Sequence, residues 1–64
     1  MADNTCREAC EAAYKARIGK LFDVLADCLQ TSDTNEERDA CRERFRRGLR
    51  IAQQAREIAI GECG

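Results

Sequence analysis

The sequence predicts an all-α protein, an antiparallel hairpin of two helices stapled by interhelical disulfides. Composition, the position of the turn-forming residues and the cysteine spacing each point to this fold. The 64-residue chain has no proline and only three aromatic residues, while alanine, arginine and glutamate are abundant. That composition favours helix almost throughout. The only cluster of turn-forming polar residues is QTSDTN, residues 30–35, so we expect the chain to reverse direction there.

The two helices are predicted from their start signals and from that turn. The motifs TCRE at residues 5–8 and TNEE at 34–37 both match the capping box of a helix start. We therefore expect a single domain over residues 1–64, with a first helix over about 5–30, a turn over about 31–34 and a second helix over about 35–62. Gly61 and Gly64 suit the end of the second helix.

Each predicted helix carries an apolar stripe when its residues are placed about 100° apart. The stripe of the first helix is bulky and that of the second is mostly small: Cys10, Tyr14, Ile18, Leu21, Leu25 and Cys28 against Cys41, Phe45, Gly48, Ala52, Ala55 and Ala59. Small residues let a neighbouring helix approach closely, which gives the interior Gly48 a packing reason. Gly19 is also interior, and because glycine lowers helix propensity it needs a packing reason as well. Arg17 falls within the first stripe, so we expect it to extend outward or to pair with an acid.

The cysteine positions predict two disulfides. Facing residues of an antiparallel hairpin have a nearly constant sum of residue numbers, and that sum is 69 for both Cys28 with Cys41 and Cys6 with Cys63. Packed helices leave facing Cα atoms about 4–5 Å apart, which is within disulfide reach. We therefore predict that bridges Cys6–Cys63 and Cys28–Cys41 close the two ends of the hairpin.

Cys10 is the fifth cysteine, and the sequence leaves its role open. It can replace Cys6 as the partner of Cys63, stay a free thiol packed against Ala59, or bridge to a second copy. If the thiols stay reduced, Cys6, Cys10 and Cys63 form a three-sulfur set suited to Cu(I) or Zn²⁺. The alternative function is therefore that of a soft-metal-binding or redox-responsive protein. Otherwise we expect neither a metal nor a cofactor.

Disulfides also bear on the compartment. Bridged cysteines predict an oxidising location, secreted or periplasmic, whereas reduced thiols would fit the cytoplasm. The first residues, Met1 to Asn4, lack the basic and apolar regions of a signal peptide. No apolar run approaches the roughly 20 residues that span a bilayer, so we expect no membrane partner.

The residue types offer little for catalysis. The chain has no histidine, so it can form neither a Cys–His nor a Ser–His pair. The CREAC spacing of residues 6–10 is not the CxxC of thiol oxidoreductases. We also expect no pocket of useful volume between two helices. The prediction is a non-enzymatic protein without a small-molecule partner.

The run RERFRRGLR, residues 42–50, holds five arginines. One interpretation is a phosphate-binding stripe. Local pairs such as Glu43 with Arg47 instead predict a solvated helix face, and the net charge of −1 does not favour nucleic acid. We therefore expect no nucleic-acid partner, although the arginines can dock an acidic protein.

Association with another protein is the function that the pattern favours. Apolar side chains flank the seam of the hairpin, and one facing helix cannot cover them all. Such a border is typical of a partner surface, and two hairpins would enclose a core as a four-helix bundle. We expect a homodimer. The predicted partner-binding residues are Phe22, Leu29, Ile51, Ile58, Ile60, Arg42, Arg46 and Arg50.

The predicted architecture resembles that of disulfide-clipped helical hairpins such as the CHCH proteins and the plant α-hairpinins. Those families repeat one cysteine spacing in both helices. This chain has a single CxxxC, from Cys6 to Cys10, and twelve residues separate Cys28 from Cys41. The likeness is one of architecture, and it assigns the chain to neither family.

Overall fold

A computed structural model describes residues 4–64 and shows two helices. Helix α1 spans Asn4–Gln30 and helix α2 spans Asn35–Cys63. Two disulfides, Cys6–Cys63 and Cys28–Cys41, join them at opposite ends, each with Cα atoms 5.8 Å apart. The predicted stapled antiparallel hairpin is therefore confirmed. Residues 1–3 lie outside the described part of the chain. They belong to the expected domain and to the segment that was considered as a signal peptide.

The start of α2 is a complete capping box. Thr34 Oγ1 accepts a hydrogen bond from the Glu37 amide at 3.1 Å, and Glu37 Oε1 accepts from the amides of Asp33 and Thr34 at 2.7 and 3.0 Å. These bonds, the one from Asp33 foremost, lower the pKa of the Glu37 carboxyl. The same motif at residues 5–8 predicted the start of α1 to within one residue, but it was wrong as a cap. α1 is already helical at Asn4, whereas a capping residue needs a non-helical backbone.

The turn between the helices packs against the inner disulfide. Ser32 Oγ donates to the Cys28 carbonyl at 2.7 Å and lies 3.3 Å from Cys41 Sγ. Thr31 reaches back to the last turn of α1 with its backbone amide, which donates to the Asp27 carbonyl at 3.3 Å. Cys41 is accordingly only 2% exposed. Turn, bridge and capping box form one ordered end of the hairpin.

Close helix approach occurs where Leu21 faces Gly48, as the register of 69 predicts. A Cβ atom on Gly48 would lie 2.5 Å from Leu21 Cδ2, well inside van der Waals contact, so the absence of a side chain is what permits this spacing. Gly19 has no such reason: apart from its chain neighbours and its own helix backbone, no atom of residues 4–64 lies within 4 Å of a Cβ placed there.

The hairpin buries very little. Among the described residues only Cys41 and Ala52, 2% and 8% exposed, are buried. The Cα positions extend over 53 × 15 × 7 Å with a radius of gyration of 15.1 Å, against about 10.7 Å for a compact chain of this length. The molecule is a single layer of two helices, and both of its broad faces are open.

Candidate functional site

Three sulfur atoms converge at the open end of the hairpin, where α1 begins and α2 ends. Cys6 and Cys63 form the disulfide, and Cys10, one helical turn along α1, keeps a free, half-buried thiol. Cys10 Sγ lies 3.8 Å from Cys63 Sγ, and all three sulfurs lie within 4.8 Å of one another. The structure thus pairs Cys63 with Cys6 rather than with Cys10, and it leaves the spare thiol next to the bridge.

This sulfur cluster, defined as Cys6, Cys10 and Cys63, is the one group of potential metal ligands that gathers within the described residues. No carboxylate from residues 4–64 joins it as a fourth ligand. In the bridged form only Cys10 can ionise, so the cluster would bind a metal through three thiolates only after reduction of the bridge. The opposite end differs, because Cys28 and Cys41 have a serine hydroxyl beside them instead of a third thiol.

An open groove of about 480 Å³ runs along the seam from this cluster toward the middle of the hairpin. Tyr14 and Leu21 of α1 and Gly48, Ile51 and Ala55 of α2 contribute to its lining. The expectation that two helices would leave no pocket of useful volume was therefore wrong. The reason is the run of small residues on α2, which leaves space below the bulkier side chains on either side of the seam.

An interhelical ion pair lies beside the groove. Arg56 donates two hydrogen bonds to the Glu11 carboxylate, at 2.6 Å from Nε and 2.7 Å from Nη2, and its guanidinium lies 5.5 Å from the centre of the Tyr14 ring. The bonds from Arg56 lower the pKa of Glu11 and raise that of Arg56. This pair was not predicted from the sequence. Its signal was available, because the residue numbers sum to 67, close to the register.

The exposed apolar side chains divide between the two broad faces. Val24, Ile51 and Ile58 are 59%, 59% and 62% exposed, and Phe22 and Leu29 are 62% and 41% exposed. Ile51 lines the groove, Val24 lines a smaller pocket along the same seam, and Ile58 lies two turns beyond Ile51.

Phe22 lies about 200° around α1 from Val24, and Leu29 lies two turns beyond Phe22. We call the first set, Val24, Ile51 and Ile58 with the groove, the groove face, and the side of Phe22 and Leu29 the opposite face. Ile60, also predicted as a partner residue, is half-buried, and Val24 was not predicted.

The arginine run is a solvated surface with local ion pairs. Arg42 lies 3.7 Å from Asp39 and Arg46 lies 3.4 Å from Glu43, each pair one turn apart and well exposed. Glu43 thus pairs with Arg46, and the predicted pair with Arg47 was wrong. Both arginines are within reach of that acid on a helix. Arg50 is also exposed. Pairs of this kind contribute about 0–1 kcal/mol.

The fold and the sulfur cluster define a disulfide-stapled helical hairpin with one unbridged thiol. No protein-family model, curated protein or solved structure compared with the chain matches it. The two bridges are compatible with an oxidising compartment. Neither helix of the described residues is long and apolar enough to cross a membrane.

Proposed function

We propose that this protein is a small non-enzymatic association module that pairs with a second copy of itself. The observation that carries the proposal is its excess surface. The chain exposes 5230 Å², whereas a compact monomer of 7.2 kDa exposes about 4,100 Å². The difference, about 1,100 Å², exceeds the roughly 800 Å² that each partner buries in an interface of standard size.

The groove face is the surface that we assign to the second copy. It holds three of the five large apolar side chains that are most exposed, together with the groove. Protruding Ile51 and Ile58 beside a groove floored by Gly48 make this face both convex and concave. A two-fold axis can therefore place the isoleucines of each copy over the groove of the other, as isologous interfaces require.

Pairing of two single layers would create the second layer that a domain core needs. The product is a four-helix bundle, in which the side chains that are half-exposed in one hairpin become interior. Arg17 and Arg44, which border the two seam pockets, would lie at the rim, where arginine is common and its stem covers apolar surface. Arg42, Arg46 and Arg50 remain available to an acidic partner.

Size-exclusion chromatography with light scattering tests the proposal. The parent chain is expected at twice its 7.2 kDa mass at micromolar concentration. Ile51→Glu should weaken the dimer at least a hundredfold, because two isoleucines leave the interface at about 1.5–3 kcal/mol each. Phe22→Glu is the matched control, since Phe22 is equally exposed but lies on the opposite face.

Three results would contradict the assignment. A monomeric parent chain at micromolar concentration rejects the homodimer. Loss of the dimer in Phe22→Glu but not in Ile51→Glu moves the interface to the opposite face. A monomer that binds an acidic protein through Arg42, Arg46 and Arg50 identifies a different partner class.

The proposal also covers the setting of the protein. The hairpin is held largely by its bridges, because only two of the described residues are buried and a two-helix layer has almost no core. An extracellular or periplasmic location would keep those bridges formed. A module of this kind works by binding, so neither catalysis nor a nucleic-acid, membrane or small-molecule partner is part of the proposal.

The sulfur cluster supports a second candidate function, that of a soft-metal site in the reduced protein. Cys10 and Cys63 already have their sulfurs 3.8 Å apart, which is close to the spacing of two thiolates on one metal with bonds of about 2.3 Å. With three sulfurs and no fourth ligand among residues 4–64, the cluster favours Cu(I) over the tetrahedral site of structural zinc. Three thiols would lose their protons on binding.

Anaerobic titration of the reduced chain with Cu(I) against a competing chelator tests this candidate. One high-affinity equivalent is expected, and Cys10→Ser should weaken binding strongly, while Cys28→Ser at the opposite end should not. Equal loss in both variants, or no binding above the competitor, would reject the site.

A further inference from the structure

We propose that Cys6, Cys10 and Cys63 form an intramolecular thiol–disulfide exchange centre, in which Cys63 alternates between a bridge to Cys6 and a bridge to Cys10. The observation is the position of the unbridged thiol. Cys10 Sγ lies 3.8 Å from Cys63 Sγ, close to van der Waals contact, with all three sulfurs within 4.8 Å. This proposal does not depend on association with a second copy.

The exchange is balanced without any added oxidant. The Cys10 thiol loses its proton to solvent, and its thiolate attacks Cys63 Sγ. The Cys10–Cys63 bond forms as the Cys6–Cys63 bond breaks, the electron pair of that bond leaves on Cys6, and Cys6 takes up a proton. The chain keeps two disulfides and one thiol throughout, so only the position of the thiol changes.

Cys63 is the sulfur that the geometry selects for attack. Attack on Cys6 would instead join residues four apart in one helix, whose side chains run parallel rather than toward each other. Cys63 is the last residue of α2, and helix ends open more readily than helix interiors.

That freedom is needed. In-line attack from 3.8 Å across a sulfur–sulfur bond of about 2 Å would place the Cys10 and Cys6 sulfurs about 6 Å apart. Here these two sulfurs lie within 4.8 Å of each other. The last turn of α2 or the Cys10 side chain must therefore rotate as the disulfide of Cys63 moves from Cys6 to Cys10.

The position of Cys6 favours its departure. It lies in the first turn of α1, which begins at Asn4, where the helix dipole stabilises a thiolate. In the second isomer the thiol has moved from the groove, which Cys10 helps to line, to the tip of the hairpin. The staple then lies one turn further inside α1, and the first turn is released from the cross-link.

The inner disulfide is an internal control. Cys28 and Cys41 have Ser32 Oγ, 3.3 Å from Cys41 Sγ, where the outer bridge has a thiol, and a hydroxyl does not exchange with a disulfide. Cys41 is also 2% exposed. Exchange should therefore be confined to the outer bridge.

Peptide mapping of the oxidised full chain tests the proposal. The protein is equilibrated at mildly alkaline pH without reductant, quenched in acid to remove the thiolate, blocked with excess maleimide at weakly acidic pH and digested with trypsin. Cleavage after Arg7 separates Cys6 from Cys10, and cleavage after Arg56 isolates Cys63. Two linked pairs are expected, Cys6–Cys63 with maleimide on Cys10 and Cys10–Cys63 with maleimide on Cys6, in a ratio independent of protein concentration.

The same map can overturn the proposal. A Cys10–Cys63 pair below roughly 1% of the total, a hundredfold preference for one isomer, would do so. A ratio that rises with protein concentration would mean exchange between molecules. Maleimide on Cys28 or Cys41 would mean general scrambling.

Two matched variants give an independent reading. Cys6→Ser and Cys10→Ser each leave four cysteines, and both should oxidise to two disulfides with no thiol, through Cys10–Cys63 and Cys6–Cys63 respectively. The inner bridge and the helical circular dichroism report folding in both. A folded Cys6→Ser chain that keeps Cys10 and Cys63 reduced under oxidising conditions contradicts the proposal.

Discussion

Replacement of two interior glycines by alanine separates helix propensity from helix packing in one pair of variants. Gly19 and Gly48 both lie inside helices and both lack a side chain, but only Gly48 faces a neighbour. A Cβ there would lie 2.5 Å from Leu21 Cδ2 and 3.3 Å from Cδ1, whereas at Gly19 no described atom outside its own helix backbone and chain neighbours lies within 4 Å. The Gly19→Ala chain should therefore be more stable than the Gly48→Ala chain.

The magnitudes follow from these distances. Alanine is better than glycine inside a helix by about 0.8–1.0 kcal/mol, so Gly19→Ala should raise the free energy of unfolding by about that amount. At Gly48 the same gain meets an overpacking cost of about 1–3 kcal/mol, because Leu21 must turn toward the groove or the helices must separate. Gly48→Ala should therefore range from neutral to about 2 kcal/mol less stable than the parent chain.

Thermal and urea unfolding of the oxidised chains, followed by circular dichroism, measures the difference. For a domain of this size 1 kcal/mol shifts Tm by about 4–8 °C, so the two variants should be clearly resolved at equal protein concentration. A double variant, Leu21→Ala with Gly48→Ala, adds a direct test of the contact. With the Leu21 methyl groups removed, Gly48→Ala should no longer destabilise the chain. The difference between the double variant and the sum of the single variants then gives the coupling free energy of the contact.

Two outcomes would contradict a close approach of the helices at Leu21 and Gly48. If Gly48→Ala stabilises the chain as much as Gly19→Ala, the helices do not approach closely at Leu21 in solution. If both substitutions destabilise, the helices end or bend at these positions.

Three further predictions concern the cap, the ion pair and the inner bridge. Thr34→Ala should lower stability by about 1 kcal/mol through loss of the capping box, whereas Thr5→Ala should change it by less than about 0.5 kcal/mol, both measured by urea unfolding. Because its arginine partner lowers the pKa of Glu11 in the folded chain, the pair stabilises the fold above the unfolded-state value of about 4.3, and this stabilisation is lost as the pH falls through the folded-state value. Glu11→Gln should flatten the acid limb of a plot of stability against pH. Paired replacement of Cys28 and Cys41 by serine should lower stability by about 3 kcal/mol through the added chain entropy of the unfolded state, measured by thermal unfolding.

Each of these has a contrary outcome. Equal losses in the two threonine variants would mean that Thr5 caps α1 after all. An acid limb unchanged in Glu11→Gln would show that the ion pair is not maintained in solution. A serine double variant as stable as the parent would show that packing alone holds the turn end together.

Much of the fold follows from local sequence signals. Helix propensity and the single polar turn set the number of helices, and the Thr34–Glu37 pair marks where α2 begins. The cysteine positions also predict which cysteines face each other, because facing residues of a hairpin keep a constant sum of residue numbers. The equivalent signal at Thr5 failed, since a capping motif reports only that a hydroxyl and an acid lie three apart, and the backbone conformation decides whether they cap.

Other features depend on where side chains point once the helices cross. Cys6 and Cys10 share one stripe, so spacing alone could not decide which of them bonds to Cys63. Their distances to that sulfur did. Glu11 and Arg56 meet because both lie on the same side of the seam, and the sum of their residue numbers is only two less than 69. The groove exists because side chains of α1 do not fill the space beside the small residues of α2.

The amino-acid sequence thus determined the helices, the turn and the inner bridge, and it favoured Cys6 as the partner of Cys63 without excluding Cys10, because propensity, capping and register act along the chain. Only the tertiary structure decided the environment of Cys10, the partner of Glu11 and the groove face, because these depend on the rotation and separation of two packed helices.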